Sequence, residues 1–161
     1  MAPSHHFTAT ITWTGNQGTG TSTYRAYSRN YDVIGDGKSA TIAGSSAPAF
    51  RGDKSRYNPE DLIIASLSAC HMLWVLHLCA DAKITVVEYV DTASGTMALN
   101  PDGSGQFSEV VLRPRITLIE AGREADVAAI NERAHQLCFI ARSVNFPVRH
   151  EPTVVVHGSG M

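Results

Sequence analysis

The sequence predicts an α+β fold with two sets of strands and two central helices, and three observations carry that prediction. Short segments of alternating apolar and polar residues come in groups, residues 59–82 form a long apolar stretch behind a helix-start signal, and residues 124–144 carry apolar side chains at helical spacing. Residues 7–13 alternate cleanly, with Phe7, Ala9, Ile11 and Trp13 on one face and Thr8, Thr10 and Thr12 on the other, as a half-buried strand does. The run GNQGTG at 15–20 is a turn by composition. Weaker strands are expected at 23–27, 31–34 and 40–43, with Gly35-Asp36-Gly37 suited to a hairpin turn. Residues 44–57 read as a loop, and because the next element is too apolar to stand alone, the whole of 1–161 is expected to be a single domain.

Asn58-Pro59-Glu60-Asp61 opens the first helix: Asn58 caps, Pro59 fits the first turn, and the two acids face the positive end of the helix dipole. That helix is expected to run to about Ala82 and is apolar on nearly every side, so it should be buried in a large core or between subunits. Residues 84–93, 95–99 and 107–119 form the second set of strands, with Pro114 expected to bulge its strand or place it at an edge. In the second helix, Val127, Ile130, Ala134, Leu137, Cys138 and Ala141 make one apolar stripe. Residues 153–157 give a last strand, and GSGM a frayed end.

Composition narrows the function. A chain of 161 residues with 43% hydrophobic and 17% charged residues can build a core and is too apolar for wholesale disorder. Thirteen Lys plus Arg stand against fifteen Asp plus Glu, a net charge of −2, so no bulk field draws in nucleic acid. No stretch reaches the roughly 20 unbroken apolar residues of a membrane span; the nearest, 62–80, is interrupted by Ser66, Ser68, His71 and His77. The N-terminal residues show no signal-peptide pattern. A soluble, cytoplasmic protein with reduced thiols and no membrane partner is expected.

Three cysteines, Cys70, Cys79 and Cys138, make neither a disulfide framework nor a zinc ribbon. Cys79 lies nine residues after Cys70, a rotation of about 900°, and so faces the opposite side of the helix. If the two helices pack together, Cys70 and Cys138 can meet and Cys79 cannot join them.

The run YNPEDLIIASLSAC at 57–70 and the later AHQLCFIARSV at 134–144 resemble the two motifs of the OsmC/Ohr family, the osmotically inducible protein C and organic hydroperoxide resistance proteins. The order of elements matches that family along nearly the whole chain; His71 follows the first cysteine where an aromatic is frequent, and Phe139 the second where proline is frequent. The resemblance implies an intertwined homodimer and a thiol peroxidase that reduces organic hydroperoxides without a cofactor or metal, regenerated by a dithiol reductant. It implies Cys70 as peroxidatic thiol, Cys138 as resolving thiol, and Glu60 paired with an arginine. Arg51 is the first choice for that arginine, Arg29 the second, with Arg25 and Arg56 also candidates. These residue types suit the chemistry: a guanidinium favours the thiolate and the departing alkoxide, and a carboxylate holds the guanidinium in place.

Glu60 and Cys70 are ten residues apart, about 15 Å along a helix, so Glu60 is expected to serve the Cys70 of a partner subunit across a two-fold axis. Leu73, Trp74, Phe139 and Ile140 are expected as apolar walls beside the thiols. Three rival readings stand beside this one. Zinc could be held by His135 and Cys138, with His71 nearby; Cys70 and His77 could form a hydrolase pair; or a redox-inert relative could use the same pocket to bind small apolar ligands.

Overall fold

The computed structural model describes residues 3–158, so the end expected to fray lies, beyond Gly158, outside the described residues. The chain falls into two compact units, Met1–Leu62 and Ile63–Met161.

In the first unit, β1 (Thr10–Trp13), β2 (Tyr31–Ile34) and β3 (Ile42–Gly44) form an antiparallel sheet in the order β1-β2-β3. Trp13 is opposite Tyr31, and Tyr31 is opposite Gly44. The Tyr31 ring passes 2.2 Å from where a Cβ on Gly44 would sit, so only glycine fits beneath it. The Gly35–Gly37 turn forms as expected, with Lys38 N–H donating to the Gly35 carbonyl at 3.1 Å and Gly37 at φ 67°.

Two expectations for this unit change. The first strand begins at Thr10, leaving Phe7 outside it and 92% exposed, and all four β1 residues are exposed rather than half-buried. Residues 23–27 turn instead of extending, and Tyr27 joins Asn16 only through an isolated bridge. The local reason is side-chain competition for the backbone: Asn16 Oδ1 accepts the Gly18 and Gly20 N–H groups, while Arg29 donates to the Tyr24 and Tyr27 carbonyls.

Helix α1 spans Pro59–Asp81. Its start is a reciprocal box: Asn58 Oδ1 accepts the Asp61 N–H at 2.7 Å, and Asp61 Oδ2 accepts the Asn58 N–H at 3.2 Å. Its end is a Schellman motif, with Ile84 N–H donating to the Cys79 carbonyl at 2.9 Å and Lys83 N–H to the Ala80 carbonyl at 3.0 Å. Lys83 takes the left-handed position at φ 56°, where glycine is the usual occupant.

In the second unit, β4 (Val86–Asp91), β7 (Pro114–Leu118) and β9 (Thr153–Val156) form one sheet, and β5 (Ser94–Leu99), β6 (Gly105–Leu112) and β8 (Val148–His150) another. In each, the middle strand pairs antiparallel with one neighbour and parallel with the other. The single strand expected at 107–119 is thus two strands in two sheets, divided at Arg113. Pro114 neither bulges nor sits at an edge; it opens the central strand β7, where its missing N–H costs least. Asp91 secures the crossing: one carboxylate oxygen accepts the Arg113 N–H and the other the Ser68 hydroxyl, both at 2.6 Å. Strand β8 has no counterpart in the expected elements.

One stripe of α1 is buried, Leu67, His71, Val75 and Cys79, at every fourth residue. Leu67 packs with Phe107, Val110 and Leu112, whereas Val75 and Cys79 pack with Ile84, Ile116, Leu118, Val127 and Ala134. Within the chain α1 is not buried all round, which leaves the burial between subunits that was the other expectation: Ile63, Ile64, Trp74 and Leu78 are partly covered, but Leu73 is 62% exposed. By length and mean hydropathy alone α1 could cross a membrane, a test that buried core helices also pass, and its apolar run is interrupted by Ser66, Ser68, His71 and His77.

Helix α2 covers Glu124–Leu137, seven residues short of the expected end. Cys138 follows in extended conformation (φ −65°, ψ 109°), and a turn of 3-10 helix occupies Ala141–Ser143. The cause is tertiary: Val127 and Ala134 belong to the first apolar cluster, while Ile140, Ala141 and Val144 pack on the second. A straight helix presents one stripe to one neighbour, so the chain breaks helix to change clusters.

Two substitutions test the ends of α1 by chemical denaturation. Asn58→Ala should lower stability by about 1 kcal/mol, and Lys83→Gly should raise it by roughly 0.5–1 kcal/mol by relieving the left-handed residue.

Candidate functional site

Cys70 occupies the α1 position before buried His71 and is itself half-buried. It opens on a cavity of about 380 Å³ lined by Cys70, Leu73, Trp74, His77 and Phe139. The Trp74 ring meets Phe139 edge-on at 5.8 Å and His77 at 5.7 Å, fixing an aromatic wall beside the sulfur. Of the expected walls, Ile140 is absent because it turns into the second apolar cluster.

Cys138 is buried, and Cys70 is the neighbouring thiol that acts on it. Burial first, and then the Cys70 thiol, push its pKa up to about 11. The Ala141 N–H points at the Cys138 sulfur from 3.4 Å. Cys79 lies in the first apolar cluster, where burial pushes it to about 11 as well. Cys79 thus falls on the buried stripe of α1 and Cys70 off it, as the helical phase predicts.

Glu60 lies in the first unit and is half-buried, and its Oε2 is buried without a hydrogen-bond partner. With Asp61 it pushes the Tyr31 hydroxyl pKa up, behind burial as the larger cause. The expected pairing of Glu60 with Arg51 is not made within the chain. Arg51 sits at φ 62°, exposed, with its guanidinium 5.9 Å from the Tyr24 ring centroid. Arg29 is clamped between the Tyr24 and Tyr27 rings at 4.3 and 4.2 Å. Arg56 lies 3.6 Å from Asp32 and 3.9 Å from Asp53 with a buried, unbonded Nη1, and Arg25 is exposed. Among the described residues no arginine forms an ion pair with Glu60.

Sequence reasoning missed a polar layer beside the thiols. His71 Nε2 lies 3.1 Å from Asn131 Oδ1, the His71 ring stacks on His150 at 5.3 Å, and His135 lies against His150 at 5.2 Å. The signal available was that Asn131 and His135 fall four and eight residues after Val127, on its helix face. Despite these side chains, among the described residues no group of three or more His, Cys, Asp or Glu is placed to hold a metal ion, so the zinc reading of His135 and Cys138 finds no support. His77 shares the Cys70 cavity, but its ring is engaged by Trp74 and its Nε2 lies 3.6 Å from Asp81. A larger cavity of about 820 Å³ runs along β4, β7 and β9, where Glu88 pairs with Arg115; it contains no thiol.

Since the thiolate is the nucleophile, iodoacetamide at pH 8 should modify Cys70 well before Cys79 and Cys138. Peptide mass spectrometry reads the order, and early labelling of Cys79 would contradict its placement in the core.

A family model described as OsmC-like protein matches residues 52–153. No curated protein matches the chain. Among solved structures, an OsmC-like protein of unknown function from Vibrio cholerae is 29% identical, with a TM-score of 0.83 over 93% of this chain and 100% of that one. An organic hydroperoxide resistance protein from Elizabethkingia anophelis is 23% identical, with a TM-score of 0.69 over 98% of this chain and 100% of that one. Another from Legionella pneumophila is 19% identical, with a TM-score of 0.67 over 94% and 98%.

Proposed function

The chain belongs to the OsmC-like protein family, and from that premise we propose that it is a thiol-dependent peroxidase reducing organic hydroperoxides. The observation that carries this reading is the Cys70 thiol opening on an apolar cavity, with buried Cys138 as its neighbouring thiol. In the cycle, the Cys70 thiolate attacks the terminal peroxide oxygen, the O–O bond breaks, and the alkoxide leaves as an alcohol after taking a proton. Cys70 is left as a sulfenic acid. The Cys138 sulfur then attacks Cys70, expelling water and closing a disulfide, which an external dithiol reopens. Burial raises the Cys138 pKa, so Cys70, which faces the cavity, is the thiol available to attack peroxide. A compartment that keeps thiols reduced, such as the cytoplasm, supplies the dithiol.

Glu60 completes the site by holding an arginine, Arg51 before Arg29, Arg25 or Arg56, at the thiolate of a partner chain. Two observations support a homodimer of single-domain chains: Glu60 has a buried oxygen with no partner in its own chain, and α1 leaves an apolar face bearing Leu73 exposed.

The test is peroxide consumption with a dithiol donor. Buried alkyl carbon contributes about 0.8 kcal/mol per methylene, so kcat/KM for cumene hydroperoxide should exceed that for hydrogen peroxide at least ~10-fold. Cys70→Ser should abolish turnover, and Cys138→Ser without external thiol should consume one equivalent, then stall or progress to sulfinic acid. Equal use of both peroxides would count against the pocket, and no turnover at all would favour the redox-inert ligand-binding reading. For the shared site, refolding Glu60→Ala with Cys70→Ser chains should give heterodimers with up to half of wild-type activity. A verified heterodimer without rescue would place Glu60 and Cys70 in one chain's site.

A further inference from the structure

The peroxidase cycle uses two thiols and leaves unexplained the polar layer packed beside them. It draws His71 from α1, Asn131 and His135 from α2, and His150 from β8. Asn131 Nδ2 donates to the Val127 carbonyl at 2.8 Å, so its Oδ1 faces His71 and can only accept. His71 therefore carries its hydrogen on Nε2, and a neutral ring leaves Nδ1 as a bare acceptor. That Nδ1, and those of His135 and His150, are buried without hydrogen-bond partners. The stacked His71 and His150 rings are tolerable while neutral and become mutually repulsive when both are protonated.

The layer also ties together the segments that bear the thiols. His71 adjoins Cys70 in the chain, and the His135 carbonyl accepts the Cys138 N–H at 3.4 Å. On the strength of the peroxidase reading, we propose that His71, Asn131, His135 and His150 are positioning residues for disulfide closure: uncharged, the layer holds Cys138 against Cys70, and protonation in acid releases it.

The surrounding charges do little to offset protonation. Of the two carboxylates that favour it, Asp91 is committed to Ser68 and Arg113, and the Glu132 side chain, 3.7 Å from His150, is 72% exposed. On β8, Arg149 and Glu151 pair outward, Arg149 with Glu109 at 2.7 Å and Glu151 with Arg113 at 3.2 Å. His71 and His150 are both held below the ordinary histidine range, by burial first and by neighbouring histidines as a lesser cause; for His71 the Asn131 hydrogen bond, and for His150 the Glu132 charge, pull the other way. The sign follows from linkage: above the unfolded value of about 6.5 the neutral layer is intact in full. Its contribution is lost as pH falls below that value and through the lower folded ones.

The experiment separates the two chemical steps. Reduced protein is mixed with cumene hydroperoxide from pH 7.5 to 5 and quenched with an alkylating agent. Mass spectrometry then counts oxidised Cys70 and the Cys70–Cys138 disulfide independently. A resolving thiol that attacks as thiolate slows by about tenfold per pH unit on its own. Below about pH 6.5 wild-type closure should fall more steeply than that, losing at least a further ~10-fold by pH 5. The variant His71→Gln/His150→Gln keeps a donor for Asn131 but cannot take a proton, and it should return to the simple slope. Should it fail to fold, His150→Gln alone gives the comparison, with the excess slope reduced. Equal slopes in wild type and variant, with Cys70 oxidised normally, would overturn the positioning role and leave the peroxidase reading standing. Failure of Cys70 to oxidise at any pH would overturn both.

Discussion

The buried stripe of α1 has to serve two apolar clusters with one run of side chains, and the second unit is arranged around that demand. Leu67 belongs to one cluster, Val75 and Cys79 to the other, and His71 falls at the seam between them. The strands repeat the division: β6 supplies Val110 and Leu112 to one cluster, and β7 supplies Ile116 and Leu118 to the other, with the changeover at Arg113. α2 repeats it again by ending at Leu137, so that the chain beyond Cys138 packs on the cluster α2 does not serve. A buried imidazole at such a seam is costly unless it is hydrogen-bonded, and Asn131, itself fully buried, supplies the partner.

The thiol chemistry grows from the same seam. Cys70 stands beside His71 and at the edge of the buried stripe, so its sulfur reaches an open cavity rather than the core. Cys138 is the first residue after α2, where the helix breaks, and its sulfur is buried. Cys79 sits two turns further along the stripe, and the core that gives it a structural role also removes it from redox chemistry. One helix thus carries a cysteine facing a cavity and a cysteine in the core, distinguished by phase.

What the sequence disclosed, and what it withheld, follows the range of the interactions involved. The α1 start was legible because Asn58 and Asp61 cap each other across three residues. The separation of Cys70 from Cys79 was legible because helical phase is a local property. The α1 end, expected at about Ala82 and found at Asp81, was legible too, although lysine rather than glycine holds the left-handed position at residue 83. The division of 107–119 into two strands, the early end of α2 and the strand β8 all depend on which cluster a residue joins, which no local pattern records. The same is true of the histidine layer: His150 lies 79 residues from His71 in the chain, and only the tertiary fold stacks them. Residues 23–27 failed for the opposite reason, because local side-chain bonds to the backbone overrode their strand-like composition.

The central claim is that Cys70 and Cys138 form one redox pair from which Cys79 is excluded. It is tested most directly by treating the reduced wild-type protein with one equivalent of cumene hydroperoxide and mapping the product by non-reducing peptide mass spectrometry. The account requires a Cys70–Cys138 disulfide within a single chain, with Cys79 still a free thiol. A Cys70–Cys79 bond, or recovery of all three cysteines as thiols after exposure to peroxide, would contradict it.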